Sequence, residues 1–376
     1  MPDLSKLELI SSENWKQKKP DSSYHRVLEH GIEVYVKNSR GKVYVLLNGD
    51  EEYLVIQNHD IDSQQCYLTN FYSKYIGYLE EEIAKLKLKK GPRYYFYTFL
   101  IALAKQIFTL ISAHKVVYLN TNLSTSAIHS QKFENDLPKI LMYMAKKFPD
   151  SMLVIQGLND YANKQLLDEL ASLGCMNVLN RRMFILDTSD KEFKPSGDLS
   201  KDRKRWIKQS GNLVWKELGN HQIDQALDLY RQLYMGHFSR LSPDYTKEFV
   251  LDEMSSKRSI FYGLNEGDEL KVVYAILANY QQVAANLLGF EPKENIKKNY
   301  YRNAGFHLYE YAKERGLIYN MSSGAVIYKK RRGAEECYKY DSFYVAHLPL
   351  RIRLGMKIVS WLSLKVIKQY MLKNDL

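Results

Sequence analysis

A predicted helix start near Arg302 is the first place where the residue types suit a charged ligand. Arg302, Asn303 and Gly305 follow a predicted strand meander and open a predicted helix. Backbone N–H groups are free at such a point and the helix dipole is positive, which together favour a phosphate group. Gly305 would permit close approach of the backbone, and Arg302 would add a fixed charge. The pattern predicts a pyrophosphate contact, and an ordinary helix start explains it equally well.

The densest cationic run in the chain, residues 329–332, is the second candidate. Lys329 to Arg332 come shortly after Ser322 and Ser323. Four adjacent cations are common on a solvated loop, and Lys and Arg side chains also bind phosphate or carboxylate groups. The sequence leaves both interpretations open. The two serines would add hydroxyl contacts to a substrate, unless they only form a turn.

Strands and helices alternate along the whole chain and would position these residues. Alternating β-branched and aromatic residues between turn formers predict strands, and an apolar period of 3.6 predicts helices. The predicted elements are a three-stranded meander over 32–58, strands at 115–119, 152–156 and 177–187, helices at 136–148 and 163–173, a strand at 212–218, helices at 222–238 and 243–254, a meander over 259–290, a helix at 303–315, strands at 318–321 and 338–345, and a helix at 350–372. The order of elements recurs, which indicates two similar halves.

The most hydrophobic stretch, residues 94–113, is nearly long enough to span a bilayer. Lys105 lies near its centre, where a lysine costs about 2.5 to 3.5 kcal/mol on insertion. A predicted strand follows at once. We therefore predict a buried helix in preference to a membrane span.

Length and composition indicate a folded, soluble chain of two domains. The 376 residues are 45% hydrophobic and 26% charged, which excludes collagen-like, disordered and multi-span membrane chains. Three widely spaced cysteines without adjacent histidines indicate neither a disulfide framework nor a zinc site, so a reducing compartment is expected. The first 19 residues lack the apolar run of a signal peptide. The polar segment 188–197 is the predicted boundary, giving domains 1–190 and 191–350 followed by a basic terminal helix, 351–376.

A net charge of +11 indicates an anionic partner such as a nucleic acid, a membrane surface or a phosphate-bearing cofactor. Three segments in the second half carry this excess: residues 201–208 with +4, 329–332 with +4 and 351–373 with +6. The last is amphipathic, so it would lie at a membrane interface or dock on the protein with its lysines outward. We favour docking.

The second half resembles the Gcn5-related N-acetyltransferase (GNAT) superfamily, and more narrowly the FemAB and BioF2-like acyltransferases. The resemblance rests on a meander, Arg302-x-x-Gly305 at a helix start, the basic run SKDRKRWIKQSG and the motif Gly324-Ala-Val-Ile-Tyr-Lys329. It covers residues 201–349, and the likeness of the first half is weak. The implied fold class is α/β of the α+β kind, with tandem GNAT-like domains that each contain a mixed, mostly antiparallel sheet flanked by helices.

The resemblance implies amide formation by transfer of an acyl group to an amine, without a metal. Acyl-CoA is the usual donor of the fold, but His307 stands where its phosphate loop has a small residue, which keeps a carrier protein or aminoacyl-tRNA open as donor. Implied donor-binding residues are Leu288, Gly289, Arg302, Asn303 and Gly305. Implied catalytic residues are Glu291, His307, Asp341 and Tyr344, each of which has an ordinary structural alternative. Ser322, Ser323, Lys329 and Arg332 would bind substrate.

The prediction is therefore a cytoplasmic N-acyltransferase acting on a small amine or amino sugar. A FemAB-like aminoacyl transferase using aminoacyl-tRNA is the second alternative. A non-catalytic module that binds nucleic acid or a membrane is the third. Neither DNA nor a metal is expected as a partner, and peripheral contact of 351–373 with the inner face of the membrane stays open.

Overall fold

The computed structural model describes residues 6–85, 91–126 and 128–369. Within these residues, twelve strands form one mixed sheet and thirteen α-helices surround it. The strands are β1 (Leu7–Ser11), β2 (Lys42–Asn48), β3 (Glu51–Asn58), β4 (Val116–Tyr118), β5 (Met152–Asn159), β6 (Cys175–Asp187), β7 (Leu213–Glu217), β8 (Ile260–Glu266), β9 (Glu269–Ala278), β10 (Gln282–Phe290), β11 (Ile318–Asn320) and β12 (Glu335–Tyr344).

The α-helices are α1 (Trp15–Lys18), α2 (His25–His30), α3 (Tyr78–Lys85), α4 (Pro92–Leu110), α5 (Gln131–Lys147), α6 (Lys164–Ser172), α7 (Gly197–Gln209), α8 (Ile223–Leu233), α9 (Lys247–Ser255), α10 (Pro292–Lys298), α11 (Tyr300–Arg315), α12 (Val326–Lys330) and α13 (Leu350–Leu362). Two 3₁₀ turns, Ile32–Val34 and Asn220–Gln222, and three π-helical turns, Ser73–Gly77, Tyr234–Phe238 and Ser363–Ile367, complete the described elements.

The strand order repeats itself with a shift of six strands. Across the sheet it reads β1-β2-β3-β4-β5-β12-β6-β11-β10-β9-β8-β7. The first three pairings in each half are antiparallel, and the fourth, β4 with β5 or β10 with β11, is parallel. This internal symmetry agrees with the predicted recurrence of elements. The predicted fold class, a mixed and mostly antiparallel sheet flanked by helices, is confirmed.

The two halves exchange their last strands. β12 lies between β5 and β6, and β6 lies between β12 and β11, so each half receives its sixth strand from the other. β6 and β12 run antiparallel to each other over ten residue pairs. The sheet therefore has outer edges only at β1 and β7.

Three large apolar layers, besides a small cluster around Ile185 and Ile318, pack against the sheet. One face carries a single layer to which both halves contribute, with Val45 and Tyr245 among its buried residues. The opposite face carries one layer against α5 and α6 and another against α7 and α11. Since strand residues alternate between faces, Val154 enters the shared layer while Leu153 enters the layer under α5. The shared layer joins the halves by side-chain packing as well as by strand pairing.

Two predicted elements differ from the structure. The first strand of the predicted 32–58 meander is instead a 3₁₀ turn at Ile32–Val34 that follows Gly31. Ile32, Tyr35 and Val36 are all buried there, because a turn can bring three or four residues apart to the same side. β1 takes the place of the missing strand beside β2.

The apolar stretch forms helix α4 as predicted, but the prediction that it is buried is wrong. Tyr95, Phe99 and Leu110 are 60%, 63% and 70% exposed, while Phe108 on the opposite side is buried. Lys105 stays at the surface in an ion pair with Glu80. Among the helices of the described residues, none is long and apolar enough to cross a membrane.

The strand exchange predicts that the halves depend on each other. Residues 1–195 produced alone lack β12, which leaves β5 and β6 with open hydrogen-bonding edges and uncovers the shared apolar layer. We expect this fragment to aggregate, whereas residues 1–195 and 196–376 produced together as two chains should form a soluble 1:1 complex. Size-exclusion chromatography with light scattering would measure both. A monomeric, cooperatively unfolding 1–195 fragment would contradict the prediction.

Candidate functional site

Asp341, on β12 where the two halves meet, is the centre of a buried polar cluster. Its carboxylate is 1% exposed and forms an ion pair with Lys74 Nζ at 2.5 Å. It also accepts hydrogen bonds from Tyr75 Oη at 2.6 Å, Asn180 Nδ2 at 3.2 Å and the Gly157 backbone N–H at 3.2 Å. These partners come from the Ser73–Gly77 turn, β6 and β5, so Asp341 ties three elements together. Burial raises the pKa of Asp341, but Lys74, together with Tyr75 and Lys339, outweighs burial and lowers this pKa.

Cations outnumber carboxylates in this cluster. Lys339 lies two residues before Asp341, is buried, and donates to the Thr125 carbonyl at 2.6 Å. Arg181 is paired with Lys339 across β6 and β12 and stacks on the Tyr78 ring at 5.6 Å. Burial, followed by the charges of Arg181 and Lys74, holds the pKa of Lys339 well below its usual range. Burial also lowers the pKa of Lys74, although Asp341 opposes this.

A register shift in β12 contributes to the geometry of the cluster. The pairing with β6 shifts between Lys339 and Tyr340, and the pairing with β5 shifts between Tyr340 and Ser342. Such bulges change the direction of neighbouring side chains and occur often beside functional sites. Here they fall at the residues that carry the charges.

A small cavity of about 10 Å³, room for about one water molecule, adjoins the cluster. Its wall consists of Tyr67, Leu68, Lys74, Ser124, Thr125, Gln156, Gly157, Asn180, Arg181 and Lys339. Two buried atoms nearby, Gln156 Nε2 and Tyr118 Oη, have no hydrogen-bond partner among the described residues. An unpaired buried polar atom costs roughly 1 to 3 kcal/mol, so it calls for an explanation such as a bound water or ligand.

A larger cleft of about 430 Å³ lies on the other side of the loop that follows β4. This acidic cleft is lined by Tyr24, Glu51, Glu52, Tyr53, Asn120, Asn122, Ile128, Ser130, Gln131, Arg258, Leu277, Ala278, Asn279 and Tyr280, and therefore by both halves. Its volume suits a small molecule. The same loop contributes Ser124 and Thr125 to the small cavity, so the cavity and the cleft share one wall.

Two carboxylates give the cleft its acidic character. Glu51 accepts hydrogen bonds from Tyr53 Oη and Ser130 Oγ, both at 2.5 Å. Glu52 accepts from Ser22 Oγ at 2.8 Å and from the Ser23 backbone at 3.0 Å. In the described part of the chain, neither carboxylate has a lysine or arginine at ion-pair distance. The cleft can therefore accept a cationic group.

Two other residues that line the acidic cleft, Arg258 and Asn122, have polar atoms without partners among the described residues. Arg258 donates through Nε to Glu253 at 2.7 Å and through Nη1 to the Ser23 carbonyl at 3.3 Å, and it stacks on Tyr24 at 4.3 Å. Its Nη2 is buried and has no partner among the described residues, as is true of Asn122 Oδ1. One donor and one acceptor are thus left for a ligand or water.

The residues predicted to hold a pyrophosphate lie on α11. The helix begins at Tyr300, so Gly305 lies in its second turn instead of at its open end. A Cβ on Gly305 would lie 2.5 Å from Tyr328 Oη, so a tyrosine side chain takes the space expected for phosphate. Asn303 Nδ2 donates to Gln209 Oε1 at 3.2 Å. Arg302 is half-buried on the first turn and lies close enough to Tyr328 to influence its pKa.

His307, one turn further along α11, is packed among aromatic rings. It is stacked on Trp215 with ring centroids 4.6 Å apart, and its Nδ1 is hydrogen-bonded to Tyr274 Oη. Burial lowers its pKa to about 4. The imidazole is therefore neutral at physiological pH.

The cationic run 329–332 contains two buried residues, Lys329 and Arg332, and two exposed ones. Lys329 is 1% exposed, and its Nζ donates to the carbonyls of Ser322 at 2.9 Å and Ser323 at 2.7 Å. Burial lowers the pKa of Lys329 to about 7. Arg332 is buried against Asp202 of α7 at 2.5 Å, while Arg331 is exposed. The charged ends of Lys329 and Arg332 therefore both have partners within the protein.

The remaining predicted site residues lie apart from the polar cluster. Glu291 is the N-cap of α10, where its side chain accepts from the Glu294 N–H. Gly289 permits close approach of α8, because a Cβ there would lie 2.5 Å from the Tyr230 backbone nitrogen. Leu288 packs against the layer under α11. Tyr344 stacks on His347 with ring centroids 5.5 Å apart.

The structure thus brings Asp341 together with residues that sequence reasoning missed, namely Lys74, Tyr75, Arg181 and Lys339. Ser323 joins them weakly, since its Oγ accepts from Arg181 Nη1 at 3.5 Å. The sequence contains one indication of this buried polar cluster. Lys339 and Asp341 alternate with tyrosines in the predicted strand 338–345, and charged residues in a buried strand must find partners.

Comparisons with known proteins give similarity at the level of fold. No protein-family model and no curated protein matches the chain. Solved structures with similar backbones include FemX, with 9% identity, 64% of this chain and 83% of that chain covered, and a TM-score of 0.45. The C-terminal domain of a putative lysylphosphatidylglycerol synthetase from Agrobacterium fabrum has 10% identity, coverage of 66% and 82%, and a TM-score of 0.43. A tandem GNAT protein from the clavulanic acid biosynthesis pathway has 8% identity, coverage of 60% and 74%, and a TM-score of 0.32. GNAT proteins and FemX, a structure of the FemAB-like group that the sequence resembles, are thus among the similar structures.

The ion pair of Asp341 and Lys74 predicts strong coupling between two distant positions. Asp341→Asn leaves Lys74 buried without its counter-ion and should lower the free energy of unfolding by about 3 to 5 kcal/mol. Adding Lys74→Met should recover part of this loss, because the uncompensated charge is removed. Urea unfolding of the wild type, both single variants and the double variant would measure the coupling. Tyr344→Phe on the same strand serves as the control, and purely additive effects would contradict the prediction.

Proposed function

We propose that this protein is an acyltransferase that forms an amide by moving an acyl group from acyl-CoA or another carrier-linked donor to a small amine. The acidic cleft between the halves is the observation that carries the proposal. It holds two carboxylates that have no cationic partner among the described residues, in a protein whose net charge is +11. Such a site attracts an ammonium group and repels the anionic carrier of the donor. The family resemblance of residues 201–349 supports the same reaction class.

The proposed reaction needs no covalent intermediate on the enzyme. The amine of the acceptor loses a proton and its nitrogen attacks the acyl carbonyl carbon. The C–N bond forms, the C–S or C–O bond to the carrier breaks, and the carrier leaves with a proton. Hydrogen-bond donors and positive charge near the carbonyl oxygen stabilise the oxyanion that develops. Arg258, which lines the acidic cleft and whose Nη2 has no partner among the described residues, is the proposed source of that stabilisation.

Among the four candidate acid–base residues we favour Asp341 as a positioning residue for the cations and tyrosines around it. Glu291 caps a helix, His307 is neutral and stacked, and Tyr344 lies against His347. For the proton of the acceptor amine we favour Glu51 or Glu52, since these are the carboxylates that line the cleft. Lys329 and Arg332 would act by shaping the 322–332 segment, because their charged ends are bound internally.

An aminoacyl-tRNA donor is the second candidate, and one observation favours it. Tyr328 covers Gly305, where the pyrophosphate of CoA was predicted to bind. Next to this region, α7 exposes Lys201, Arg203, Lys204 and Lys208, with Arg331 exposed nearby. A cationic helix surface of this kind suits the phosphate backbone of RNA as well as a single cofactor. Of the predicted donor contacts, Gly289, Asn303 and Gly305 are occupied by packing within the protein. Arg302, half-buried on the first turn of α11, and the half-buried Leu288 remain proposed donor contacts for either carrier.

Neutralising the carboxylates of the acidic cleft should weaken binding of the amine. Glu51→Gln and Glu52→Gln should each raise the KM for the amine about tenfold or more, because a charge-assisted hydrogen bond contributes about 1.5 to 3 kcal/mol. The KM for the donor should not change. Steady-state kinetics with a panel of amino sugars, amino acids and polyamines would measure this, with Glu217→Gln on exposed β7 as the matched control. An unchanged amine KM in both variants would exclude the cleft as the acceptor site.

The identity of the donor is tested separately. Incubation with acetyl-CoA and the amine panel should release free thiol, and the product should still form after treatment with ribonuclease. Loss of product on ribonuclease treatment, together with product formation from charged tRNA, would identify the aminoacyl donor instead. Arg302→Ala should raise the donor KM in either case, and an unchanged donor KM would reject its phosphate-binding role. If neither donor gives a product, the proposed acyl transfer is wrong.

A further inference from the structure

Exposed apolar side chains are concentrated on two helices. In the described part of the chain, nine of the eighteen exposed large apolar residues lie on α4 and α13. These nine are Tyr95, Phe99, Leu100, Leu103, Leu110, Leu350, Leu354, Ile358 and Trp361. Large contiguous apolar surfaces are uncommon on soluble proteins and usually bind something. We call this surface the α4/α13 face.

Helix α13 is apolar on two opposite sides. Ile352, Met356 and Ser360 are buried against the sheet, at a spacing of four residues. Leu354, Ile358 and Trp361 have a similar spacing, but at 100° per residue they point away from the protein and are more than half exposed. A helix that only docks on the protein needs its buried side alone. The outward apolar row of α13 is therefore suited to contact a second apolar surface outside the protein.

Helix α4 is built in the same way and lies next to α13. Tyr95, Phe99 and Leu103 form an exposed row at intervals of four residues, while Phe108 is buried on the other side. The two helices are in contact, and Gly355 of α13 lies so close to Ile111, just past the end of α4, that a Cβ would clash with its side chain. Two neighbouring helices thus both present apolar rows to the outside.

The charges around the α4/α13 face are positive. Arg351, Arg353 and Lys357 are exposed on α13, beside its outward row. The sequence 351–373 contains six basic residues and no acidic one. On α4, Lys105 is paired with Glu80, whereas α13 contains three basic residues and no acidic residue. An apolar row with cations on both sides complements a partner that has an anionic outer layer above an apolar interior.

We propose that the α4/α13 face binds the surface of an anionic lipid bilayer. α4 and α13 lie in the plane of the membrane, the outward rows enter the boundary between headgroups and acyl chains, and Arg351, Arg353 and Lys357 contact lipid phosphates. Tyr95 and Trp361 suit the interfacial depth, where amphipathic aromatic rings are enriched. The proposal does not depend on the proposed acyl transfer, and its test needs neither donor nor acceptor.

Sedimentation with 100 nm vesicles tests the proposal with the full-length protein. We expect binding to vesicles of phosphatidylcholine with one quarter phosphatidylglycerol, and at least tenfold weaker binding to pure phosphatidylcholine. Phe99→Ser with Ile358→Ser, one change on each helix, should weaken binding about tenfold or more. Ile61→Ser with Ile207→Ser is the matched control, since both residues are over 60% exposed elsewhere and should leave binding unchanged. Arg353→Gln with Lys357→Gln should reduce the preference for anionic vesicles about tenfold.

Three results would overturn the proposal. The first is no binding to either kind of vesicle by protein whose circular dichroism shows that it is folded. The second is equal, salt-independent binding to both kinds, which would remove the role of the cations. The third is a dimer in light scattering that Phe99→Ser with Ile358→Ser dissociates, without vesicle binding, which would assign the face to a second copy of the chain.

Discussion

The antiparallel pairing of β6 with β12 is the contact on which the rest of the structure depends. Because each half receives its last strand from the other, this pairing closes both halves and places their shared apolar layer on one face of a continuous sheet. It also fixes the positions of Arg181 and Lys339, which are opposite each other in the ladder. Ten residue pairs of backbone hydrogen bonding thus determine both the architecture and the site at its centre.

This arrangement buries several charged side chains, which costs free energy of solvation. Removing a cation from water costs several kcal/mol unless a partner compensates, and a single carboxylate, Asp341, lies among three cations. Tyr75 and Asn180 donate to the Asp341 carboxylate, and the Thr125 carbonyl accepts from Lys339. Burial also lowers the pKa of Lys74 and Lys339. Gln156 Nε2 and Tyr118 Oη still lack partners among the described residues. Such incomplete compensation at the junction of two halves is typical of a functional centre and costly for a purely structural one.

Local patterns explain why much of the fold could be predicted and part of the site could not. Most strands and helices follow from apolar periodicity and turn residues, as β5, β6 and α6 illustrate, and the repeated order indicated two similar halves. Strand exchange could not be predicted, since no local signal decides whether β12 pairs within its own half or with β5. For the same reason Asp341 was found as a candidate, while Lys74, 267 residues earlier, was not. Burial of α4 was predicted from its hydropathy, from Lys105 and from the strand that follows, none of which distinguishes a buried core helix from a helix at an interface.

The net charge of +11 is distributed in a way that separates the proposed partners. The exposed cations form two groups, one on α7 and one on α13. The acidic cleft between the halves contains two carboxylates that have no cationic partner in the described part of the chain. At physiological ionic strength a charge acts over about 8 Å, so each surface acts nearly independently of the net charge. A cationic acceptor can therefore enter the acidic cleft of a basic protein. The proposed anionic carrier would bind at α7, and the proposed anionic bilayer at α13. The cations of the sequence are thus divided between two proposed partners, while the two carboxylates of the acidic cleft would select the acceptor.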